Sequence, residues 1–239
     1  MYLMTDDLKT QVVAILGMHR SGTSCLAGCL EDCGLVLGVV NRAAPHNRKG
    51  NNENEALRAV HHRILTDRGF DWDNPPSAPI LWTRQERADL AARLQDYDPA
   101  HPWGFKDPRT LFLLDGWFDL VPGLRLAGSF RHPLETAASL TTRDGFSTEK
   151  GLGLWQAYNR QMLFWHARAP FPVLFYDSDS ARYLAEVQAM AGALALDPTA
   201  PIRFRDESLT HHAALAAPPA DCLSLWHDLH AARTPQAVP

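Results

Sequence analysis

Cysteine is scarce: four thiols in 239 residues are too few, and too oddly placed, to read as a disulfide framework. Three of them, Cys25, Cys29 and Cys33, recur at every fourth position. That spacing puts them on one face of a helix, where bridging geometry is poor, so they read as small core residues with reduced thiols. A second ligand pair at zinc-like spacing is also missing. His61-His62 and His211-His212 are adjacent residues whose side chains diverge, and no metal is expected. Long apolar runs are absent as well. No stretch approaches the ~20 apolar residues that cross a bilayer, and Met1–Asp7 has no basic start leading into an apolar run, as a secretory signal would. These absences lead us to expect a cytoplasmic protein with no membrane span. Nor is there an excess of positive charge. With a formal net charge of −4, no global field recruits nucleic acid, so an anion site has to be a local gathering of Arg, Lys and backbone N–H groups. Repeats and low-complexity tracts are lacking too.

What is present is a chain with 46% hydrophobic residues, enough for a substantial core in one domain spanning 1–239. Short apolar runs alternate with helical patterns, the signature of a parallel sheet covered by helices. Val12–Leu16 reads as a buried central strand, with further strands at Trp103–Phe105, Arg125–Phe130 and Val173–Tyr176. Helical patterns cover Thr23–Cys33, Glu53–Asp67, Thr83–Asp96, Pro133–Leu140, Lys150–His166, Arg182–Leu194 and Asp221–Ala232, before a tail closed by Pro235 and Pro239. Between the first strand–helix pair and Trp103 runs a long polar excursion, Asn41–His101. It includes Asn74-Pro-Pro-Ser-Ala-Pro79, which no regular element accommodates. Ligands of open α/β sheets bind beyond the carboxyl ends of the strands, so the excursion is a candidate cap that binds an acceptor.

Strand Val12–Leu16 feeds directly into Gly17-Met-His-Arg-Ser-Gly-Thr-Ser24 and then a helix. Two glycines allow a tight turn, and the loop amides with the positive helix end then face an anion. The segment is similar to a Walker A loop, but Thr23 stands where lysine is required, and Arg20 supplies the basic residue. No apolar strand ends in a magnesium-holding Asp; the later strands end in Phe130-Arg131 and Tyr176-Asp177. Without that lysine and carboxylate a triphosphate would go poorly neutralised, so ATP chemistry is disfavoured. The Arg-Ser-Gly-Thr form resembles the 5′-phosphosulfate loop of the sulfotransferases that use 3′-phosphoadenosine 5′-phosphosulfate (PAPS), specifically the Golgi-type and bacterial carbohydrate-type members. A P-loop NTPase-like, three-layer α/β fold with a central parallel sheet flanked by helices is what this resemblance implies.

A second segment agrees with the first. Arg131-His-Pro-Leu-Glu-Thr-Ala-Ala-Ser139 follows a strand, and Pro133 suits the first turn of a helix. It resembles the family motif in which a strand-ending Arg and a Ser eight residues later bind the 3′-phosphate. The resemblance therefore implies donor binding by His19, Arg20, Ser21, Gly22, Thr23, Ser24, Arg131 and Ser139. Bare alternatives are a capping or surface ion pair for Arg131 and an ordinary helix serine for Ser139.

For the chemistry, Trp103-Gly-Phe-Lys-Asp-Pro-Arg109 resembles the segment of tyrosylprotein and bacterial sulfotransferases whose lysine stabilises the transition state. That role carries to Lys106, with Arg20 beside it; the plainer reading makes Lys106 and Arg109 surface charges paired with Asp107. The histidine used as base by cytosolic members is absent, Asp107-Pro108 standing in its place. Arg48-Lys-Gly-Asn-Asn-Glu53 resembles the family's Lys-Gly-x-x-Glu segment, which makes Glu53 the candidate base. Against this, Asn52 and Glu55 form a capping-box pattern that would place Glu53 in a first helical turn, where acids are favoured anyway. His46 is a further candidate if the excursion folds over the site. Weaker likenesses, with substitutions, run through Val173–Asp177 and Phe204–His212, where Phe175 and Thr210 replace arginines. The implied acceptor is a glycan, glycolipid or small metabolite bearing a hydroxyl. The competing readings are a P-loop kinase or NTPase dependent on Mg2+, and a non-catalytic nucleotide-binding relative in which Glu53 and Lys106 point away from the loop.

Overall fold

A computed structural model describes residues 11–44, 46–95, 97–176, 179–206 and 217–233. Asp96, Asp177, Thr210, His211, His212, Pro235, Pro239 and the Met1–Asp7 start lie outside the described residues.

Among the described residues the sheet has four strands, β1 (Val12–Leu16), β2 (Trp103–Lys106), β3 (Arg125–Phe130) and β4 (Val173–Phe175), in the order β2-β1-β3-β4. All pairings are parallel, with Val12 opposite Trp103, Val13 opposite Arg125 and Gly128 opposite Val173. Strand β1 is buried along its whole length, as a strand covered on both faces must be. Because side chains alternate across a strand, its five apolar residues feed two cores. Val12, Ala14 and Leu16 join a large cluster on one face, while Val13 and Ile15 join a smaller one on the other. The helices divide accordingly. The smaller core is closed by α1 (Thr23–Asp32) and α7 (Ser180–Ala193). On the larger face lie α2 (Glu55–Thr66), α3 (Arg84–Leu94), α4 (Leu114–Leu120), α5 (Pro133–Asp144), α6 (Thr148–His166) and α8 (Leu223–Ala231). The α/β reading with a central parallel sheet flanked by helices holds.

Several boundaries moved for identifiable reasons. Helix α2 begins at Glu55 and not at Glu53: its cap is Asn54, whose side-chain oxygen accepts from the backbone N–H of Ala56 and Leu57 at 3.0 and 3.2 Å. Asn52, the expected cap, instead adopts a left-handed φ of 53° and donates to the Ser24 carbonyl at 3.1 Å. Helix α5 runs past Leu140 to Asp144 and stops at Gly145, whose φ of 71° is a glycine ending. A 3₁₀ turn at Pro108–Phe112 and helix α4 were not anticipated. Helices α2 and α3 lie within the polar excursion, yet Leu57, Val60, Ile64, Leu65 and Leu90 are buried in the larger core. That part of the excursion is a layer of the domain itself.

The loop after β1 is pressed against β3. Gly17 has a φ of 144°, and a Cβ there would fall 2.3 Å from the Ser129 carbonyl oxygen. Both the backbone conformation and the contact exclude a side chain. We expect Gly17→Ala to destabilise the fold by about 2 kcal/mol or more, read as a lower urea midpoint. An unchanged midpoint would show that the loop can lift from β3 freely.

Candidate active site

The carboxyl ends of all four strands open on one cleft of about 930 Å3. The loop after β1 brings His19, Arg20, Gly22, Thr23 and Ser24 to it, with the Ser21 side chain buried behind them; β2 brings Lys106, and Arg131 and Tyr176 follow directly on β3 and β4. Segment 46–58, ahead of and into α2, adds His46, Lys49 and Glu53. Among the described residues, nine Lys and Arg but five Asp and Glu line the cleft. In a chain of net charge −4, this is the local concentration of positive charge that an anion site requires.

Local bonds fix the loop. The Ser129 hydroxyl donates to the Ser21 carbonyl at 2.7 Å, and the Ser24 hydroxyl donates to the Asn51 carbonyl at 2.9 Å. Gly22 has a φ of 83° and opens α1; a Cβ on it would lie 2.2 Å from the Tyr176 ring. Arg20 carries a left-handed φ of 67°, a strained setting for a residue with a side chain. Its guanidinium holds that setting by donating from Nε to Ser139 Oγ at 2.7 Å and from Nη1 to the His46 carbonyl at 3.2 Å. The two anion motifs read from the sequence are thus joined directly, across 119 residues. Arg131 donates to Glu135 at 2.9 Å and lies 5.3 Å from the Tyr176 ring centre. Arg20 is therefore held beside Ser139, within electrostatic reach of Arg131. Thr23 is buried in the loop, and the His46 side chain is exposed at the rim.

Also in the cleft, Lys106 Nζ donates to Glu53 Oε1 at 2.5 Å, both residues being buried. No hydrogen bond among the described residues engages Glu53 Oε2. Glu53 precedes α2, so its place follows from the path of the chain and not from helix capping. That path is fixed by paired bonds, Asn41 N–H to the Glu53 carbonyl at 3.1 Å and Asn52 N–H to the Asn41 carbonyl at 3.0 Å.

Lys106 and Arg109 are not surface charges. Arg109 is buried and donates from Nη1 and from its backbone N–H to Asp107 Oδ1, at 2.9 and 3.0 Å. Asp107 Oδ2 bonds His61 Nδ1 at 2.9 Å, and Trp117 Nε1 meets His61 Nε2 at 2.9 Å. An indole N–H can only donate, so His61 Nε2 accepts and Nδ1 carries the proton towards Asp107. Burial opposes the charge on Asp107, but the Arg109 guanidinium, then His61, hold its carboxyl well below the usual carboxylate range. His19 lies 4.7 Å from the Trp72 ring. Burial first, and then Arg109 and Arg143, keep its ring well below the ordinary imidazole range.

Several cleft residues escaped the sequence reading. Lys49 bonds the Phe204 carbonyl, and Arg205 donates to Ser180 Oγ at 2.8 Å while packing 4.2 Å from the Tyr183 ring centre. Arg143 covers Trp72 at 4.9 Å. The cysteines carry free thiols; Cys25 lines the cleft, and its hydrogen bond with the Cys29 thiol lowers its pKa below the ordinary thiol value.

The fold has solved counterparts. The structure resembles the sulfotransferase domain of the Synechococcus PCC 7002 olefin synthase, with a TM-score of 0.55 and 16% identity over 97% of this chain and 98% of that one. The chain has a sulfotransferase fold. A sulfotransferase from Mycobacterium tuberculosis matches more loosely, with a TM-score of 0.37 and 16% identity over 84% of this chain and 74% of that one. No protein-family profile and no curated sequence matches the chain.

The Asp107 cluster has a measurable signature. Because its pKa is depressed in the folded state, its contribution is complete above the unfolded carboxylate value of ~3.9 and fades as the pH falls below that value. We expect Asp107→Asn, which strands the buried Arg109 charge, to cost about 3 kcal/mol at neutral pH. The loss should shrink towards pH 2–3 when melting is followed as a function of pH. A pH-independent difference would contradict this assignment.

Proposed function

We propose that the chain is a PAPS-dependent sulfotransferase that passes a sulfuryl group to a hydroxyl of a glycan, glycolipid or small metabolite. The observation that carries this reading is the Arg20–Ser139 hydrogen bond. It unites the 5′-phosphosulfate-like loop with the 3′-phosphate-like motif in one cleft rich in cations. The residues present fit such a donor. Loop amides at Ser21–Ser24 and the start of α1 suit a 5′-phosphosulfate, and Arg131, Ser139 and Arg20 suit a 3′-phosphate. Bound there, PAPS would supply an activated sulfuryl group on a good leaving group.

Glu53 is the base in this reading, taking the acceptor proton on Oε2 while Lys106 holds Oε1 and neutralises charge at the bridging oxygen. The acceptor enters beside segment 46–58 and Trp72, which is the role proposed for the start of the excursion. Trp72 packs against Phe146 with ring centres 5.6 Å apart and carries Arg143 at 4.9 Å and His19 at 4.7 Å. Its ring is occupied by neighbours, so it serves as a wall and not as a sugar-stacking platform. Convergence of Glu53 and Lys106 on the cleft speaks against a non-catalytic relative.

Ligand-dependent melting tests the donor. The product nucleotide PAP (3′-phosphoadenosine 5′-phosphate) at 100 times its Kd should stabilise the fold by about 2.7 kcal/mol, with AMP far weaker and Arg131→Gln abolishing the difference. Stabilisation by ATP with Mg2+ in preference to PAP would instead favour a kinase. For the base, Glu53→Gln should lower PAP release from PAPS, in the presence of a panel of hydroxyl acceptors, by about 10²–10⁴-fold while PAP still binds. Full turnover in that variant would remove Glu53 from the chemistry.

A further inference from the structure

One buried group in the cleft has no assigned work. Arg109 lines the cleft with its side chain 7% exposed, and its Nε is buried with no hydrogen-bond acceptor. Its Nη1 is committed to Asp107. A buried donor left unmet is destabilising, and a native fold keeps one where something else accepts from it. The guanidinium is also held unusually firmly. Trp117 donates to His61, His61 donates to Asp107, and Asp107 receives both the side chain and the backbone N–H of Arg109. This chain of bonds runs from the apolar core outwards and holds the guanidinium in place with Nε uncommitted. His19 presents a second buried nitrogen without a partner, Nε2, in the same cleft, within electrostatic reach of both Arg109 and Lys106.

We propose that Arg109, together with His19, forms an oxyanion subsite that takes the non-bridging oxygens of the sulfuryl group in transit. The proposal rests on the sulfotransferase reading and adds to it. Lys106 serves the bridging oxygen, and its ammonium is shared with Glu53. Charge on the outer oxygens needs a different donor. A donor fixed in advance, in a place with little water, is the arrangement that stabilises developing charge without reorganising. The planar guanidinium gives Arg109 a rigid fork of donors, which lysine lacks. Donor affinity should not depend on it, because the phosphates are met by the loop and by Arg20, Arg131 and Ser139. Transfer proceeds with breakage of the sulfur–oxygen bond to the nucleotide, formation of the bond to the acceptor oxygen, and passage of the acceptor proton to Glu53. Arg109 and His19 exchange no atoms.

The test is a titration of inorganic sulfate, by calorimetry, into the protein alone and into the protein loaded with PAP, for the unaltered chain, Arg109→Lys and Arg109→Gln. Lysine keeps a cation beside Asp107, so it guards against a folding defect in the glutamine variant, and melting curves check both. We expect sulfate to bind the PAP-loaded protein, with affinity reduced about tenfold or more in either variant and PAP affinity changed less than about twofold. Equal sulfate affinity in the variants, or no sulfate binding to the PAP-loaded protein, would overturn the subsite. Acetate binding as tightly as sulfate would turn it into a pocket for an acceptor carboxylate, which also overturns it. Failure of PAP to bind would strike the sulfotransferase reading separately. The sulfate titration without PAP would then still report whether Arg109 holds an oxyanion.

Discussion

Burial, and then repulsion from Arg143 and Arg131, loosens the hold of Arg20 on its proton, and much of the surrounding structure follows from having to keep such charges together. Like charges gathered around one cleft repel one another, so each needs its own brace. Glu135 braces Arg131, Asp144 braces Arg143, Ser139 braces Arg20, Glu53 braces Lys106, and Asp107 braces Arg109. None of these braces cancels the whole excess. What remains is a cleft that gains by taking up an anion, which is how a chain acidic overall can still attract one.

The sheet makes the gathering possible. Each strand ends at the same edge, and each delivers one element of the site there without needing a special turn of its own. The exception is the loop after β1, whose Gly17 and Gly22 adopt conformations that side chains resist and whose Arg20 accepts strain. Strain of this kind persists where surrounding bonds over-determine it, and the bonds to Ser139, to the His46 carbonyl and from Ser129 do so here.

Features carried by chemistry peculiar to a residue could be read from the sequence. The buried run Val12–Leu16, the glycines of the loop, and Pro133 at a helix start each impose one local conformation, and the structure has all three. Less was legible where long-range packing decided the outcome. Asn52 and Asn54 are equally good caps by type, and the choice between them was made by the bond from Asn52 to Ser24. Lys106, Asp107 and Arg109 look like a surface cluster in one dimension; they are buried because His61 reaches Asp107 across 46 positions, and Trp117 reaches His61 across 56, along hydrogen bonds that no local pattern encodes. Helix α4, which carries Trp117, lies in a run of Leu and Phe with too little polar contrast to show a period. Lys49 and Arg205 are far apart along the chain, and their shared neighbourhood arises only when the segment around Phe204 lies across α1, its backbone N–H held by Asp32 at 2.7 Å.

The strand order has a consequence for how the molecule comes into being. Central strand β1 pairs with β2 and β3, and both partners are encoded far downstream of it. During synthesis β1 and its glycine loop leave the ribosome long before anything exists for them to lie against, as a strongly apolar strand with open edges. Sheets closed by such distant pairings form slowly, and exposed strand edges invite wrong partners in the interval. The cleft therefore belongs to a late stage of folding, and a nascent chain lacks its full lining until β4 and the segment to Asp206 have been made.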